Sequence, residues 1–204
     1  MASGAVTGLQ LMERAGRGVV EAIPTLWSGG PGHVLVLCGP GNNGGDGFVI
    51  ARLLSNAGWD TRVVLMGDPA RLRGDAAQTC RRWCEVGAVA MIDPDGGAGP
   101  AMAEALTHQN LLVVDAIFGT GLTRSLPPAA EAIARAMAGR DGLRRVAVDI
   151  VTGLHADTGA YLGTPGAPPF RADVTVTFHR RKHGHLRGRG PEISGQVIVK
   201  DIGL

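Results

Sequence analysis

Apolar positions along the chain form short runs that alternate with segments of helical spacing. The clearest run is His33–Cys38, which is rich in β-branched residues and has glycine-containing segments on both sides. Such a run is typical of a strand that is buried on both faces of a sheet. Before it, residues 9–27 place apolar side chains at the three- and four-residue spacing of an amphipathic helix. Pro24 and residues 28–32 then end that helix.

The same alternation continues to the end of the chain. It predicts helices over residues 46–56, 69–86, 100–108 and 128–138. It predicts strands over residues 61–66, 88–92, 111–117, 145–150, 172–178 and 196–201. Strands that alternate with helices build βαβ units, and right-handed crossovers place helices on both faces of a parallel sheet. We therefore expect an α/β fold, a three-layer α/β/α Rossmann-like sandwich with a mostly parallel central sheet, formed by one domain over residues 1–204.

Composition excludes several classes of protein. Hydrophobic residues make up 45% of the 204 residues, which is enough for a core, and a net charge of +2 gives no general attraction to nucleic acid or membrane. No apolar run approaches the length of a membrane span, and no signal peptide is visible. Cys38, Cys80 and Cys84 imply no disulfide framework, which indicates a reducing compartment. We expect a cytoplasmic protein with neither a nucleic-acid nor a membrane partner.

One local run of charge departs from this balance. The segment from 179 to 189 carries five basic residues, which are Arg180, Arg181, Lys182, Arg187 and Arg189. A solvated basic face and a phosphate contact are both open interpretations of this run.

The loop that follows the first strand is unusually rich in glycine. Residues 39–47 hold five glycines, two asparagines and Asp46. The glycines permit positive φ and close backbone approach, the start of the next helix favours an anion such as phosphate, and Asp46 can serve as its N-cap. Residues 39–44 formally match the Gly-x-Gly-x-x-Gly dinucleotide fingerprint. A plain turn around Asn43 and Gly44 is the alternative.

Two further loops place carboxylates at the ends of predicted strands. Asp115 ends an apolar strand, where a buried carboxylate needs a cation or several donors, and residues 119–125 supply donors suited to phosphate or ribose. Asp149 ends the next long strand, with Thr152 close behind it. With Asn43, these oxygens would converge on one sheet edge, where they could hold a hard cation. A carboxylate left protonatable there could act as general acid or base, whereas capping of the loops is the alternative.

Five ordered segments resemble the YjeF N-terminal domain family, the NAD(P)H-hydrate epimerases. They are residues 39–52, 11–16, 115–122, 148–159 and 172–203. The resemblance runs over nearly the whole chain. One departure falls in the third loop, where Val151 and Thr152 stand in place of the family's usual Pro-Ser. Thr152 keeps the hydroxyl oxygen that a cation would bind.

The resemblance implies a metabolite-repair reaction, epimerisation at C6 of hydrated NADH or NADPH (NAD(P)HX). The R form would become the S form, which a partner dehydratase, separate or fused, accepts. The family also implies a homodimer and a potassium ion bound by Asn43, Asp115 and Thr152. The substrate-binding residues that it implies are Asn42, Asn43, Gly44, Gly45, Asp46, Gly119, Thr120, Gly121, Leu122, Thr123, Arg124, Ser125 and Asp149. We assign Asp149 as the catalytic acid that protonates the departing hydroxyl and then activates water.

Two other functions compete with this interpretation. A non-catalytic nucleotide- or RNA-binding scaffold module with the same fold is the first. An NAD(P)-dependent oxidoreductase, suggested by the glycine fingerprint, is the second. Tyr161 is the only tyrosine of the chain, and no Tyr-Lys pair for hydride transfer is apparent.

Overall fold

The computed structural model describes residues 6–92 and 99–203, and its strands form a single parallel sheet in the order β3-β2-β1-β4-β5-β6-β7. The strands are β1 (His33–Cys38), β2 (Asp60–Leu65), β3 (Val89–Met91), β4 (Leu111–Ala116), β5 (Leu143–Val148), β6 (Val174–Phe178) and β7 (Gln196–Lys200). The helices are α1 (Gly8–Ala22), α2 (Asn42–Asn56), α3 (Gly74–Cys84), α4 (Gly99–Ala105), α5 (Pro128–Met137), α6 (His183–Leu186) and α7 (Gly190–Ile193). Within these ranges, no helix has the length and apolar character needed to span a membrane.

Two apolar cores cover the two faces of the sheet and confirm the three-layer prediction. One core joins α1, α2 and α3 to one face, and Phe48 and Trp83 are its largest fully buried side chains. The other joins α4 and α5 to the opposite face and includes Phe170 from the long β5–β6 connection. Every residue of β4 is buried, because both faces of a central parallel strand are covered.

The strand order places a topological switch point at the centre of the sheet. β1 pairs with β2 on one side and with β4 on the other, so the chain reverses its direction of winding there. In such sheets the loops beyond the carboxyl ends of the two strands separate and leave a crevice for a ligand. The glycine-rich loop after β1 and the loop after β4 border this crevice.

One error in the predicted elements concerns the start of α2. It was expected to begin at residue 46, but it begins at Asn42. Asparagine and glycine have low helix propensity, so the sequence pattern favours a loop here. Tertiary packing overrides that preference, because Gly44 and Gly45 lie buried against neighbouring backbone and side chains.

Smaller differences follow from local backbone chemistry. The predicted helices at 9–27 and 69–86 each combine an α-helix with a separate 3₁₀ turn, at Ile23–Thr25 and Pro69–Arg71. The short helices α6 and α7 were not predicted, since four residues are too few for a periodic pattern.

Candidate active site

The turn from β1 into α2 depends on glycine for space. A Cβ at Gly39 would lie 1.8 Å from the carbonyl oxygen of Ile117, and a Cβ at Gly44 would lie 1.9 Å from that of Gly39. All five glycines of residues 39–47 have φ outside the left-handed region, so the expected use of positive φ is wrong. Glycine is needed here because backbone segments approach closely.

The first turn of α2 faces the crevice. Gly41 is its N-cap and supplies no side-chain bond, and Asp46 lies inside the helix, so the prediction of Asp46 as N-cap is wrong. The first N–H groups of an α-helix have no intrahelical partner and favour an anion. Asn42 and Asn43, the first two residues of the helix, line a cavity at this point.

This first cavity has a volume of about 420 Å³ and lies at the switch point between β1 and β4. Seven of the expected substrate-binding residues line it, which are Asn42, Asn43, Gly119, Gly121, Leu122, Thr123 and Arg124. Gly44 and Gly45 are instead buried within α2, and Ser125 is exposed outside the lining. The cavity combines a helix N-terminus with a guanidinium group, which suits a phosphate.

A second cavity, of about 670 Å³, lies along the carboxyl ends of β5 and β6. Thr120 and Asp149 line it, together with Asp157 and residues 178–183. Thr120 sits between two glycines of the first cavity's lining, so the loop after β4 borders both cavities. Nine of the thirteen expected substrate-binding residues therefore line one of two neighbouring cavities on one edge of the sheet, whereas Asp46, like Gly44, Gly45 and Ser125, lines neither.

Asp115 and Thr152 are in direct contact beneath this edge. The hydroxyl of Thr152 donates to Oδ1 of Asp115 at 2.6 Å, and the backbone N–H of Thr152 donates to Oδ2 at 2.9 Å. The N–H of Ile117 adds a third bond, of 3.3 Å, to Oδ1. Burial nevertheless raises the pKa of Asp115 to about 6, against the lowering effect of these bonds. Its ionised form would therefore be stabilised by a nearby cation.

Asn43 is the third expected metal ligand, and its side chain lies against the loop after β4. Its Oδ1 is 3.2 Å from the position that a Cβ of Gly119 would occupy. Its Nδ2 is buried and has no hydrogen-bond partner within the described residues. A buried amide without a partner is costly, so a bound group that engages this amide would relieve the cost.

Asp149 follows β5 in a strained tight turn. Its φ is 65°, and the N–H of Ile150 donates to the carbonyl of Val148 at 2.8 Å across it. Positive φ is uncommon for a residue with a side chain, although aspartate tolerates it better than most. The Asp149 carboxylate forms an ion pair with Lys182, with 2.7 Å between Oδ1 and Nζ. The sequence assigned Asp149 to the site but did not identify Lys182 as its partner.

Asp46 is a second carboxyl group near Asp149. Burial raises its pKa well above the ordinary value, and the negative charge of Asp149 raises it further. The two side chains therefore interact electrostatically, although α2 and β5 are far apart in sequence. Two neighbouring carboxyl groups in different environments are typical of acid–base pairs in active sites.

The basic residues of the run from 179 to 189 lie in two different surroundings. Arg180, Arg181 and Lys182 line the second cavity. Arg189 instead pairs with Glu192 on the surface, with 2.6 Å between Nε and Oε2. His185 is buried, which lowers its pKa, and its Nδ1 accepts from the N–H of Lys182 at 3.2 Å.

The opposite, amino edge of the sheet holds a separate cluster of potential metal ligands, His33, Asp60 and His108. The two imidazole rings stack with centroids 3.6 Å apart and planes 11° from parallel. An imidazole binds a metal in its own plane, so two stacked rings do not direct their lone pairs at one point. We interpret this cluster as surface packing, outside the expected site.

Comparison with known proteins gives a consistent result. Residues 8–184 match the family model described as YjeF-related protein N-terminus. An NAD(P)H-hydrate epimerase of Rhodobacter capsulatus is 44% identical, over 100% of this chain and 92% of that protein. An NAD(P)H-hydrate epimerase of Cereibacter sphaeroides is 41% identical, over 100% and 95%.

Longer proteins and a solved structure are also similar. A bifunctional NAD(P)H-hydrate repair enzyme Nnr of Thermofilum pendens is 41% identical, over 94% of this chain but 35% of that protein. A crystal structure of the yeast protein YNL200c superposes with a TM-score of 0.74 at 27% identity, over 96% of this chain and 79% of that one.

Proposed function

The chain belongs to the family of YjeF-related protein N-termini, and from this membership we infer that it is an isomerase that epimerises hydrated NADH and NADPH. The observation that carries this function is the 44% identity with an NAD(P)H-hydrate epimerase over the whole chain. The same observation favours the enzyme over a scaffold module and over an oxidoreductase.

The two neighbouring cavities suit the two parts of a hydrated dinucleotide. The first, with the start of α2 and Arg124, has the chemistry to bind phosphate. The second, with Thr120 and Asp149, is large enough for the hydrated nicotinamide ring and its ribose. This arrangement would bring C6 of the ring close to Asp149, which follows β5 with a φ of 65°.

Epimerisation requires the C6 hydroxyl to leave one face of the ring and water to return on the other. The C6–O bond breaks as a carboxylic acid protonates the hydroxyl, and the N1 lone pair forms an iminium. Water then adds to the opposite face and gives a proton to a carboxylate. Ring opening and reclosure at C6 is an equivalent route with the same demand for proton transfer.

Two carboxyl groups in different environments suit these two proton transfers. Burial and the neighbouring charge of Asp149 raise the pKa of Asp46, which favours its acid form and suits it to give the proton. Asp149 is ion-paired with Lys182, so it is suited to accept one from the attacking water. This order differs from the expectation that Asp149 gives the first proton. After one turnover the protonation states are exchanged, which prepares the enzyme for the reverse epimerisation.

We propose that a potassium ion binds among the oxygen donors beneath the site. Asn43, Asp115 and Thr152 offer hard oxygen donors, and Asp115 is a buried carboxylate, which a cation would stabilise. The partnerless amide of Asn43 is the second observation that supports a bound group. Since O and N of an amide are assigned rather than observed, a rotated amide would present its oxygen to the ion. The ion would supply fixed positive charge beneath the loops that bind the dinucleotide.

The expected partners follow from the same proposal. The S form of the hydrate would be consumed by a dehydratase, and the similar bifunctional repair enzymes are consistent with a second activity acting on the same hydrate. A homodimer in the cytoplasm remains our expectation for this chain.

A direct assay tests the proposed function. Purified (R)-NADHX is incubated with the protein in potassium buffer, and the R and S forms are separated by chromatography over time. We expect equilibration of the two forms many times faster than in buffer alone. An equilibration rate equal to that of buffer alone, for both NADHX and NADPHX, would overturn the proposal.

A further inference from the structure

Two donors hold one oxygen of Asp149 and leave the other free. Lys182 Nζ lies 2.7 Å from Oδ1, and the hydroxyl of Thr177 donates to the same oxygen at 2.9 Å. Within residues 6–92 and 99–203, no hydrogen bond reaches Oδ2 of Asp149, although the side chain lines the second cavity. The carboxylate is thus anchored on one side and open on the other.

The ammonium group of Lys182 is fixed in place by several acceptors. Besides Asp149, Nζ reaches the hydroxyl oxygen of Thr177 and the carbonyl oxygen of Phe178, each at 3.0 Å. An ammonium has three donors, which these three acceptors can occupy, and the carbonyl oxygen of Arg180 lies a little farther away at 3.4 Å. The Lys182 side chain is 19% exposed, and its backbone N–H donates to buried His185. The lysine therefore enters the site in a single, preorganised position.

The backbone at Asp149 explains why such an anchor matters. With φ at 65°, the residue occupies a sparsely populated region that persists only when surrounding contacts hold it. Its N–H donates to the carbonyl of Val176 at 2.7 Å, which ties the backbone to β6. The side chain depends on Thr177 and Lys182 for its own orientation.

We propose that Lys182 is a positioning residue that holds Asp149 as an oriented carboxylate, with Oδ1 anchored and Oδ2 directed at the substrate. This inference rests on the proposed function and assigns a role to a residue that the motif analysis left within a basic run. Lys182 acts through Asp149 and does not itself exchange a proton with the substrate. A small displacement of a reacting group is costly, and an error of about 1 Å lowers turnover by about 100-fold.

The test compares Lys182→Met, Lys182→Arg and Asp149→Asn in the epimerisation assay, with Lys200→Met as a matched control. Lys200 is also paired with a carboxylate, 2.9 Å from Glu21, but it lies away from Asp149. We expect Lys182→Met to lower kcat by about 100-fold while KM changes by less than about threefold. Lys182→Arg should recover most of the lost kcat, since it restores a charged donor, and Lys200→Met should keep the original kcat.

A purely structural role for Lys182 predicts a different pattern. It predicts that Lys182→Met lowers kcat, raises KM and lowers the melting temperature together, and that Lys182→Arg recovers none of the kcat. That pattern would overturn the inference. An unchanged kcat in Lys182→Met would also overturn it. Thr177→Val supplies a second variant if Lys182→Met does not fold. It removes the other donor to Oδ1, so it should lower kcat at constant KM, and an unchanged kcat would equally overturn the inference.

The Asp149→Asn variant separates this inference from the proposed function. If Asp149→Asn keeps full activity, the catalytic role of Asp149 is wrong, and the role of Lys182 is wrong with it. If Asp149→Asn is inactive but Lys182→Met keeps full activity, only the role of Lys182 is wrong.

Discussion

Three aspartates at the carboxyl edge differ in their surroundings, and the differences separate their roles. Asp115 is buried and receives hydrogen bonds from Thr152 and Ile117. Asp149 is ion-paired and borders a cavity. Asp46 is half-buried near the charge of Asp149, and no side-chain cation pairs with it within the described residues. The same side-chain chemistry thus provides a candidate cation ligand, a proton acceptor and a proton donor.

From the surroundings of Asp115 we predict that potassium stabilises the protein in a pH-dependent way. The folded-state pKa of Asp115, about 6, exceeds the unfolded value of about 4. Protonated Asp115 therefore adds stability below pH of about 4, and this stability is lost as the pH rises through about 6. Potassium should offset the loss, so it should raise the melting temperature by several degrees at pH of about 8 and by less at pH of about 5.

Scanning calorimetry in potassium and in a bulky organic cation checks this prediction, with Asp115→Asn as the control. The variant should lose both the potassium effect and its pH dependence. Equal potassium effects at the two pH values would contradict a role for the Asp115 carboxylate.

A second prediction about a single residue concerns Asp46. Its pKa is raised by burial and by Asp149, so its acid form is present below that raised value and disappears above it. If Asp46 gives the proton, kcat/KM should fall as the pH rises through the raised pKa. The pH profile of Asp46→Asn should have a lower rate and no such fall. A variant profile with the same alkaline fall as the original protein would assign the proton to another group.

Among the elements, sequence pattern predicted the strands far better than the start of α2. Buried parallel strands are continuous apolar runs, and β1 was predicted at its observed bounds. The first turn of α2 consists of asparagine and glycine, and its helical form depends on tertiary packing, in which Gly44 and Gly45 lie close to neighbouring segments. The short α6, which orients Lys182, carries no periodic signal.

This account of α2 predicts a large difference between two alanine substitutions. Gly44→Ala would place a Cβ 1.9 Å from the Gly39 carbonyl oxygen, whereas Gly41→Ala would meet open space. We expect Gly44→Ala to lower the free energy of unfolding by more than about 2 kcal/mol, and Gly41→Ala by less than about 1 kcal/mol. Urea denaturation of the two variants provides the measurement. Equal unfolding midpoints would show that the turn has room for a side chain.

For the whole molecule, the topology explains how distant motifs form one site. The loops after β1, β4 and β5 all lie at the carboxyl edge of the parallel sheet. The sequence could therefore predict that Asn43, Asp115 and Thr152 lie at that edge. The resemblance to a known family predicted the substrate class. Neither indicated the inward orientation of Lys182, because a lysine among four arginines has the composition of a solvated face. That orientation depends on tertiary contacts with Thr177 and Phe178.

The same topology predicts which edge of the molecule responds to nucleotide. NADP⁺, a stable dinucleotide, should shift the amide resonances of residues 39–46 and 119–125 in a nuclear magnetic resonance titration. Amides beside His33 and His108, at the amino edge, should stay unchanged. Shifts confined to the amino edge would contradict the location of the site.

The most direct measurement of the central claim is the epimerisation rate of Asp149→Asn, with the fold checked by circular dichroism and by the melting temperature. The account predicts a folded protein that still binds NADP⁺ but equilibrates (R)- and (S)-NADHX at least about 100-fold more slowly than the original chain. A folded Asp149→Asn protein that equilibrates the two forms at the original rate would contradict it.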